Sequence, residues 1–511
     1  MTGLDGGILS LLVLVPTVGA VAVVLFGRVV PAKNLALLVA LATFALSLHL
    51  PYHFRPAESG FQFVQELPWI PSLGIGYHVG VDGISMPLVL LTTFLMPISV
   101  LCSFKAIDKR EPFYYACILL TSAGILGVFI ALDLFLFYVF WEAMLIPMYF
   151  LIGIWGGPRR VYATTKFVLY TMVGSLLMLV AILVTYLKAG GQSFDYAHLL
   201  KYTYAGSLGT WLFLAYFLAF AIKVPLFPFH TWLPDAHVEA PTAGSVLLAG
   251  VLLKMGTYGL VRFAVPLYPE AARYFAPSIA VISVIGIIYG ALLSLAQTDL
   301  KKLVAYSSVS HLGFVVLGIF AFGAEGLTGA TIQMVNHGLS TGALFLMVGM
   351  VYERTHTRDL AKLGGLFKVM PVYGALLMLT ALSSAALPGT NGFVGEFLIL
   401  LGAFRAYRIA CIFAVTGVIG SAAYLLYMVE KTLFGPVTNE ENAKLADLSL
   451  REKLVLAPVL ALVLLIGVRP AVLLAPMAPT VKAYFQLLRD RTDIPEGKRA
   501  ALVARTGEEA R

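Results

Sequence analysis

Two lysines and two glutamates stand inside long apolar stretches of this sequence, at Glu142, Lys223, Lys254 and Glu396. A charged residue at the centre of a membrane helix costs about 2.5–3.5 kcal/mol on insertion scales. Four of them cost roughly 10–14 kcal/mol, which is comparable to the stability of a whole domain. Charged groups inside membrane spans are therefore functional candidates, and amines and carboxylates can carry protons.

Lys254 has no acidic residue near it in the sequence. Burial without a partner disfavours the charged amine, so this side chain can lose and regain a proton near neutral pH. The alternative is that Lys254 extends its ammonium to the membrane surface, which its position near the middle of an apolar stretch disfavours. His311 and His337 can titrate near neutral pH, as a relay or as hydrogen-bonded structural residues. A bis-histidine haem is a further interpretation, but it needs ligand pairs that face each other across a helix bundle.

Glu142 has no charged residue within one helical turn, so a partner must come from another helix. Lys223 is our candidate partner, and the simpler alternative is a static ion pair that fixes helix register. Lys223 precedes a proline-rich break that ends at His230, which we include among the candidate site residues. Glu396 follows a second break, where we expect either a terminal proton donor or a hydrogen bond to loose backbone. We expect the remaining polar groups near span ends to be solvated or to line a water path: Asp133, Lys166, Asp235, His237 and Glu239.

The composition shows which elements must hold these residues. The chain has 511 residues, of which 59% are hydrophobic and 12% are charged, with a mean hydropathy of +0.89. Soluble domains carry about 25% charged residues, so a soluble enzyme, a disordered chain and a nucleic-acid-binding protein are excluded. The three cysteines form no CxxC pair, which excludes iron–sulfur clusters, thiolate zinc sites and a disulfide framework on this chain.

Apolar stretches of about 20 residues predict membrane-spanning helices. We predict an all-α polytopic membrane protein of about 14 transmembrane helices, and the region 454–487 has room for one more. The predicted spans are 8–27, 34–50, 84–104, 112–130, 132–153, 163–187, 209–230, 241–262, 275–297, 303–322, 328–352, 370–400 with an interruption, 407–430 and 454–475. Lys and Arg concentrate in one set of alternate loops, which places that set in the cytoplasm and both termini outside.

Two of the predicted spans are interrupted by proline and glycine. Pro225 and Pro228 lie in the seventh span, and Pro388 and Gly389 lie in the twelfth. The seventh span is the fourth helix of spans 4–8, and the twelfth is the fourth helix of spans 9–13. Because each block has an odd number of helices, the second block crosses the membrane in the opposite orientation to the first. Paired broken helices indicate the working site of a transporter fold. We therefore divide the chain into helices 1–3 (1–111), a first repeat (112–262), a second inverted repeat (275–433) and a last helix with a polar tail (434–511).

Four long motifs carry a family resemblance: Trp141–Tyr149, Lys223–Thr242, Gln297–His311 and Leu387–Phe397. In fixed order over about 80–435, they resemble the antiporter-like proton-pumping subunits of respiratory complex I, NADH–quinone oxidoreductase, which are related to Mrp-type cation/proton antiporters. The early chain end and the glutamate at position 396 favour the M-type (chain-4-type) members over the L-type members, in which a lysine is expected at that position.

The resemblance implies fourteen helices with two inverted five-helix repeats, and it implies a role for most of the candidate residues. It implies a modulating ion pair of Glu142 and Lys223, a central proton carrier at Lys254, a linking relay of His311 and His337, and an exit acid at Glu396. The resemblance gives Lys166 no role.

The resemblance also implies the protein's surroundings. It implies no cofactor on this chain, with FMN, iron–sulfur clusters and quinone on partner subunits. It implies L-type and N-type antiporter-like subunits on either side, the lipid bilayer of a bacterial inner (plasma) membrane, and no nucleic acid. Two alternatives remain at this point: an Mrp-type Na⁺/H⁺ antiporter subunit, and a structural spacer of the membrane arm.

Overall fold

The computed structural model describes residues 4–437 and 439–492. The predicted tail from residue 493 to residue 511 lies outside the described residues. The α-helices are Ile8–Phe26, Ala32–Ser47, His49–His53, Ser85–Cys102, Glu111–Ile130, Leu134–Ala143, Leu145–Trp155, Arg160–Lys188, Tyr196–Leu199, Gly206–Lys223, Trp232–Glu239, Thr242–Leu247, Leu253–Gly259, Val265–Leu267, Pro269–Leu295, Leu300–Phe320, Ala324–Thr355, Leu366–Val369, Pro371–Ser384, Asn391–Ala406, Arg408–Leu433, Leu450–Val468 and Ala471–Thr492. Leu248–Leu252 and Leu260–Ala264 are π-helical, and Pro71–Leu73, Leu360–Lys362 and Glu440–Lys444 are 3₁₀ turns.

Within the described residues, 13 helices are long and apolar enough to cross a membrane. The predicted twelfth span is present as two shorter helices, Pro371–Ser384 and Asn391–Ala406. The predicted last span divides differently, because the region 454–487 holds parts of two helices, Leu450–Val468 and Ala471–Thr492. The predicted fold class, an all-α polytopic membrane protein with two broken helices, is confirmed. The division into four domains and the side on which each terminus lies stay predictions.

Burial separates the central helices from those that face lipid. The helix Ala324–Thr355 and the continuous helical stretch Thr242–Leu267 are buried along the whole of their apolar part. The helix Arg160–Lys188 instead exposes Leu169, Val173 and other large apolar side chains on one face. An apolar outer face is stable in lipid, whereas the polar groups of the two central stretches must find partners inside the protein.

A β-hairpin covers one end of the helices, in a region for which the sequence predicted only an external loop. Strands Gln62–Ile70 and Ile75–Val81 pair antiparallel. The connection turns at Gly74, whose φ of +66° favours glycine, and a side chain there would collide with the Gln192 backbone. The backbone N–H of Leu132 donates to the carbonyl oxygen of His78 over 2.9 Å. This bond fixes the hairpin against the connection between the helices Glu111–Ile130 and Leu134–Ala143.

A buried ion pair joins this hairpin to the central stretch. Arg262 donates to a carboxylate oxygen of Asp82 over 2.6 Å, and both side chains are almost completely buried. The guanidinium also lies 4.8 Å from the ring centroid of Phe61. Removing one partner of a buried pair costs about 3–5 kcal/mol, because the other charge is left uncompensated. The pair therefore holds the end of the helical stretch that carries Lys254.

The contact between His78 and Asp195 makes the docking of the hairpin pH-dependent. Its hydrogen bond to Asp195 raises the pKa of His78. A raised pKa means that the folded protein holds the proton more tightly, so the stabilisation is complete below the unfolded value of about 6.5 and is lost as the pH rises through the folded value. We expect amide hydrogen exchange in residues 62–81 to accelerate as the pH rises through that value, after correction for the intrinsic pH dependence of exchange.

The variant His78→Gln is the control for this expectation. Glutamine at position 78 does not titrate, so the pH-dependent part of the protection should disappear while the hairpin stays folded. Equal pH dependence in the variant and in the unaltered protein would show that another group controls the docking.

Candidate functional site

The first broken helix ends at Lys223 and continues from Trp232. The indole N–H of Trp232 donates to the carbonyl oxygen of Ile222 over 2.8 Å, and thereby satisfies a backbone group at the break. His230 lies between the two halves and is 4% exposed. In the described part of the chain, its Nδ1 atom is buried and has no hydrogen-bond partner. Its ring packs at 5.4 Å from that of Tyr289, so the described side chains do not link this nitrogen to another predicted site residue.

Lys223 points into an aromatic pocket instead of forming a direct salt bridge. Its Nζ atom lies 5.2 Å from the ring centroid of Trp141, 5.7 Å from that of Phe167 and 4.0 Å from the sulfur of Met144. Among residues 4–437 and 439–492, no ion pair within 4.0 Å joins Lys223 to Glu142, so the direct pair expected from the sequence is not formed in this structure.

The carboxylate of Glu142 is nevertheless close enough to act on Lys223 electrostatically. Its Oε1 atom is buried, and no hydrogen-bond partner for it occurs in the described residues. Glu142 sits at the end of the helix Leu134–Ala143, two residues before a break at Met144, and a second helix begins at Leu145. Glu142 is half-buried and lies at the end of the first half, so bending at the break would change the distance between its carboxylate and Lys223.

Lys254 is fully buried near the middle of the stretch Thr242–Leu267, as its sequence position predicted. Its Nζ atom lies 2.7 Å from Nδ1 of His337 and donates to the carbonyl oxygen of Ala249. The π-helical turn Leu248–Leu252 immediately precedes this helix, and π-turns inside α-helices occur frequently at functional sites. The alternative in which Lys254 extends its ammonium to the membrane surface is excluded, because the amine contacts a buried histidine.

Glycines let the Lys254 helix approach the first break closely. A Cβ atom added to Gly256 would lie 2.8 Å from the carbonyl oxygen of Phe220, and one added to Gly259 would collide with the Phe220 ring. Because neither glycine has a side chain, the helix that carries Lys254 packs directly against the end of the helix that carries Lys223.

His311 and Glu396 form a direct contact on the other side of His337. The Nδ1 atom of His311 lies 2.9 Å from Oε1 of Glu396, and its Nε2 atom lies 3.1 Å from the hydroxyl of Tyr424. Gln333 donates to the same carboxylate over 3.3 Å. The rings of His311 and His337 have centroids 5.8 Å apart. Four of the predicted site residues therefore succeed one another in space, in the order Lys254, His337, His311 and Glu396.

A small polar cavity lies beside the two histidines. His311, His337, Asn336, Ser340, Thr341 and Ser383 are among its lining residues. His337 Nε2 and Glu396 Oε2 are buried and have no hydrogen-bond partner within residues 4–437 and 439–492. Polar walls with unsatisfied groups are the setting in which buried water is stable.

The second broken helix is held by Asn391. Its side-chain oxygen accepts a hydrogen bond from Ser383 over 2.7 Å, and its backbone oxygen accepts one from Asn336, also over 2.7 Å. These contacts hold the second half of the broken helix against its first half and against Ala324–Thr355. They also place Glu396, which lies in the second turn of Asn391–Ala406, opposite His311.

Several polar residues that the sequence assigned to solvated span ends are buried instead. Asp133 and Glu239 are almost fully buried, because each accepts backbone N–H groups at the start of a helix or loop. His237 is completely buried and stacks on Phe345 at 4.4 Å. Lys166 is only partly exposed and pairs with Asp235 over 2.8 Å. The interpretation that Asp133, His237 and Glu239 are solvated was wrong, since the sequence does not show which face of a span meets another helix. The alternative that these groups line a water path stays a prediction.

The structure adds groups that sequence reasoning did not select. Tyr424 and Gln333 contact the His311–Glu396 pair, and Lys301 is buried with its amine 2.6 Å from the carbonyl oxygen of Ala240. A tyrosine or glutamine in an apolar stretch gives no signal by itself. Lys301 lies between two of the predicted spans, 275–297 and 303–322, whereas the helix already begins at Leu300 after its N-cap Asp299.

Comparison with known proteins agrees with this geometry. Residues 131–421 match the family described as NADH:quinone oxidoreductase/Mrp antiporter, TM, and residues 11–132 match NADH-ubiquinone oxidoreductase chain 4, amino terminus. The chain is 47% identical over 466 residues to NADH-quinone oxidoreductase subunit M of Rhodobacter capsulatus, and the match covers 89% of this chain and 90% of the relative.

Solved structures show the same fold. A chain of respiratory complex I from Thermus thermophilus with bound NADH superposes with a TM-score of 0.87 at 34% identity, covering 94% of this chain and 99% of that chain. A chain of the Mrp complex from Dietzia superposes with a TM-score of 0.80 at 23% identity, covering 98% of this chain and 56% of that chain. The second likeness shows a shared fold, whereas the first extends over nearly the whole length of both chains. The chain therefore belongs to the family of antiporter-like membrane subunits of NADH–quinone oxidoreductase, in its M-type (chain-4) branch.

Proposed function

We propose that this chain translocates protons as a membrane subunit of NADH–quinone oxidoreductase. In this proposal its polar residues move protons, and NADH oxidation and quinone reduction take place on other subunits. The observation that carries the proposal is the buried series of Lys254, His337, His311 and Glu396, in which the first two and the last two groups are within hydrogen-bond distance. A subunit that only holds its neighbours apart does not require such a buried polar series.

The first step of the proposed mechanism is the control of Lys223 by Glu142. When the carboxylate approaches, it stabilises the charged ammonium in the pocket of Trp141, Phe167 and Met144. When it withdraws, that stabilisation is lost and Lys223 gives up its proton more easily toward the helix of Lys254. Opposite charges interact more strongly in a low-dielectric interior than in water, so a small movement at the Met144 break has a large effect.

The second step is transfer along the series. Lys254 gives a proton to Nδ1 of His337, and the opposite ring nitrogen, Nε2, releases a proton toward the polar cavity. Water in the cavity bridges the two rings, because their centroids are too far apart for direct transfer. His311 then takes up a proton at Nε2, the nitrogen beside the hydroxyl of Tyr424, and gives the proton on Nδ1 to Glu396.

The surroundings of the chain are part of the same proposal. The membrane arm of the complex supplies the partners, and we propose L-type and N-type antiporter-like subunits as the two neighbours. FMN, iron–sulfur clusters and quinone are proposed to bind to partner subunits. We propose the inner membrane of a bacterium as the location, with the lysine- and arginine-rich loops in the cytoplasm.

The variant Glu396→Gln tests the proposal against the two alternatives. Glutamine keeps the shape of the side chain but cannot carry a proton, so NADH-driven proton translocation by the reconstituted complex should fall about 100-fold or more. The measurement is acidification of the vesicle interior in sodium-free medium. Glu325→Gln, a change in a partly exposed carboxylate that pairs with Arg405, is the matched control and should have little effect.

Each alternative predicts a different result in this assay. An Mrp-type antiporter subunit requires sodium, so proton movement should stop in the unaltered complex when sodium is removed. A structural spacer should tolerate Glu396→Gln without loss of translocation, provided that the complex assembles. Either result would contradict the proposed function.

A further inference from the structure

Three residues with metal-binding side chains meet at the face of the protein that carries the β-hairpin. One ring nitrogen of His49, one of His53 and one carboxylate oxygen of Asp5 lie within 4.8 Å of one another. The histidines are four residues apart at the end of a continuous helical region, so they lie on the same face. Asp5 precedes the first helix and comes from a separate part of the chain. One helix and the turn before another thus contribute to one cluster.

We propose that this cluster is a binding site for a divalent transition metal of the zinc class, with His49, His53 and Asp5 as ligands. Two imidazoles and one carboxylate are a donor set that Zn²⁺ accepts, with water as the fourth ligand of an open site. Bonds of about 2.0–2.1 Å in a tetrahedral site place ligand atoms roughly 3.3 Å apart. The His49 and Asp5 atoms are already 2.8 Å apart, and all three ligand atoms lie within 4.8 Å of one another, so side-chain rotation has to bring the third atom closer.

The hydrogen bonds of the two histidines fit this role. The Nδ1 atom of His53 lies 3.2 Å from the backbone carbonyl oxygen of His49, which can only accept, so Nδ1 carries the proton. The lone pair of His53 is then on Nε2, and a backbone carbonyl that holds the other ring nitrogen is the usual support of a metal-bound histidine. His49 already directs Nε2 at Asp5, over 2.8 Å, and a cation can replace the shared proton there.

The position of the cluster allows an ion to enter. The His49 and Asp5 side chains are 16% and 13% exposed, and a cleft that opens to solvent is lined by Asp5, His53 and Glu58. Arg55 also lines this cleft, but its guanidinium is paired with Glu58 over 2.9 Å. The neighbouring positive charge is therefore compensated by a carboxylate that does not belong to the ligand set.

Zinc binding to the purified, assembled complex tests the proposal. After equilibrium dialysis against Zn²⁺, elemental analysis should find one more zinc ion per complex in the unaltered protein than in the double variant His49→Gln, His53→Gln. Each single variant, and Asp5→Asn, should raise the dissociation constant at least about tenfold. His356→Gln, which alters a histidine in a distant part of the sequence, is the matched control and should bind as the unaltered protein does.

Cobalt provides a second measurement that does not depend on stoichiometry. Co²⁺ bound by the cluster should give visible absorption typical of low coordination number, after subtraction of the spectrum of the double variant. Equal zinc content in the unaltered and double-variant complexes, or single variants that bind zinc as tightly as the unaltered protein does, would overturn the proposal. Because Asp5→Asn leaves both histidines in place, it decides the question even if the double variant does not assemble.

Discussion

The variant Lys254→Met is expected to abolish proton-coupled NADH oxidation by the assembled complex. Methionine has a length similar to that of lysine and fills the same space, but it cannot bind a proton or donate to His337. Because Lys254 is fully buried and contacts His337 directly, no other described side chain replaces it at the start of the series. Positioned proton-transfer groups contribute about 10²–10⁴-fold to a rate, so a loss of at least 100-fold in coupled turnover is expected.

The measurement compares electron transfer and proton translocation in sealed vesicles. Lys431→Met, which removes a largely exposed lysine near the end of Arg408–Leu433, is the control and should keep both activities. A normal ratio of protons to electrons in Lys254→Met, at normal turnover, would rule out Lys254 as the central carrier.

The variant Glu142→Ala is expected to be nearly as damaging, for a different reason. The carboxylate does not lie in the series, and it acts on Lys223 through its charge. Its removal uncouples Lys223 from movement at the Met144 break, and coupled turnover should fall by roughly 5–150-fold, the range that couplings of 1–3 kcal/mol produce. Glu142→Asp keeps the negative charge on a side chain that is one methylene shorter, so it should retain part of the coupled turnover.

Glu430→Ala is the matched control for this series, because it removes a carboxylate that is 66% exposed. If Glu142 acts through its charge, we expect the coupled turnover of Glu142→Asp to lie between that of the unaltered protein and that of Glu142→Ala. If Glu142→Asp and Glu142→Ala were equally inactive while the complex assembled fully, the exact position of the carboxylate and not its charge would be decisive. Full activity of Glu142→Ala would remove Glu142 from the mechanism.

The fold was predictable because hydrophobicity alone specifies membrane helices. Runs of apolar residues gave nearly all the spans, and proline and glycine located both broken helices at Pro225 and Pro388. The β-hairpin was not predicted, because its pairing depends on contacts such as that between His78 and Asp195, which are distant in the sequence. The sequence also did not reveal that the last region contains parts of two helices, since Arg469 and Pro470 interrupt it only briefly.

The site was predictable where a charge stood alone in an apolar stretch. Lys254 and Glu396 are buried as expected, and the histidines lie between them. The salt bridge of Lys223 with Glu142 was not found, because cation–π contacts with Trp141 satisfy the amine and periodicity does not report such contacts. The buried position of His237 was missed for a similar reason, since a short helix after a break has no periodic pattern to show its inner face. The roles of all these residues stay predictions.

The π-helical turn before Lys254 sets the direction of the side chains that follow it. Such a turn closes its hydrogen bonds one residue later than an α-helix, so it takes up about one more residue per turn. If Leu248–Leu252 wound as a regular α-helix instead, the helix after the turn would be rotated by roughly 100° relative to the helix before it. The segment would keep its hydrophobicity and its helical content, yet the amine of Lys254 would face away from His337. The direction of this lysine thus depends on the winding of the turn before it as much as on its own identity.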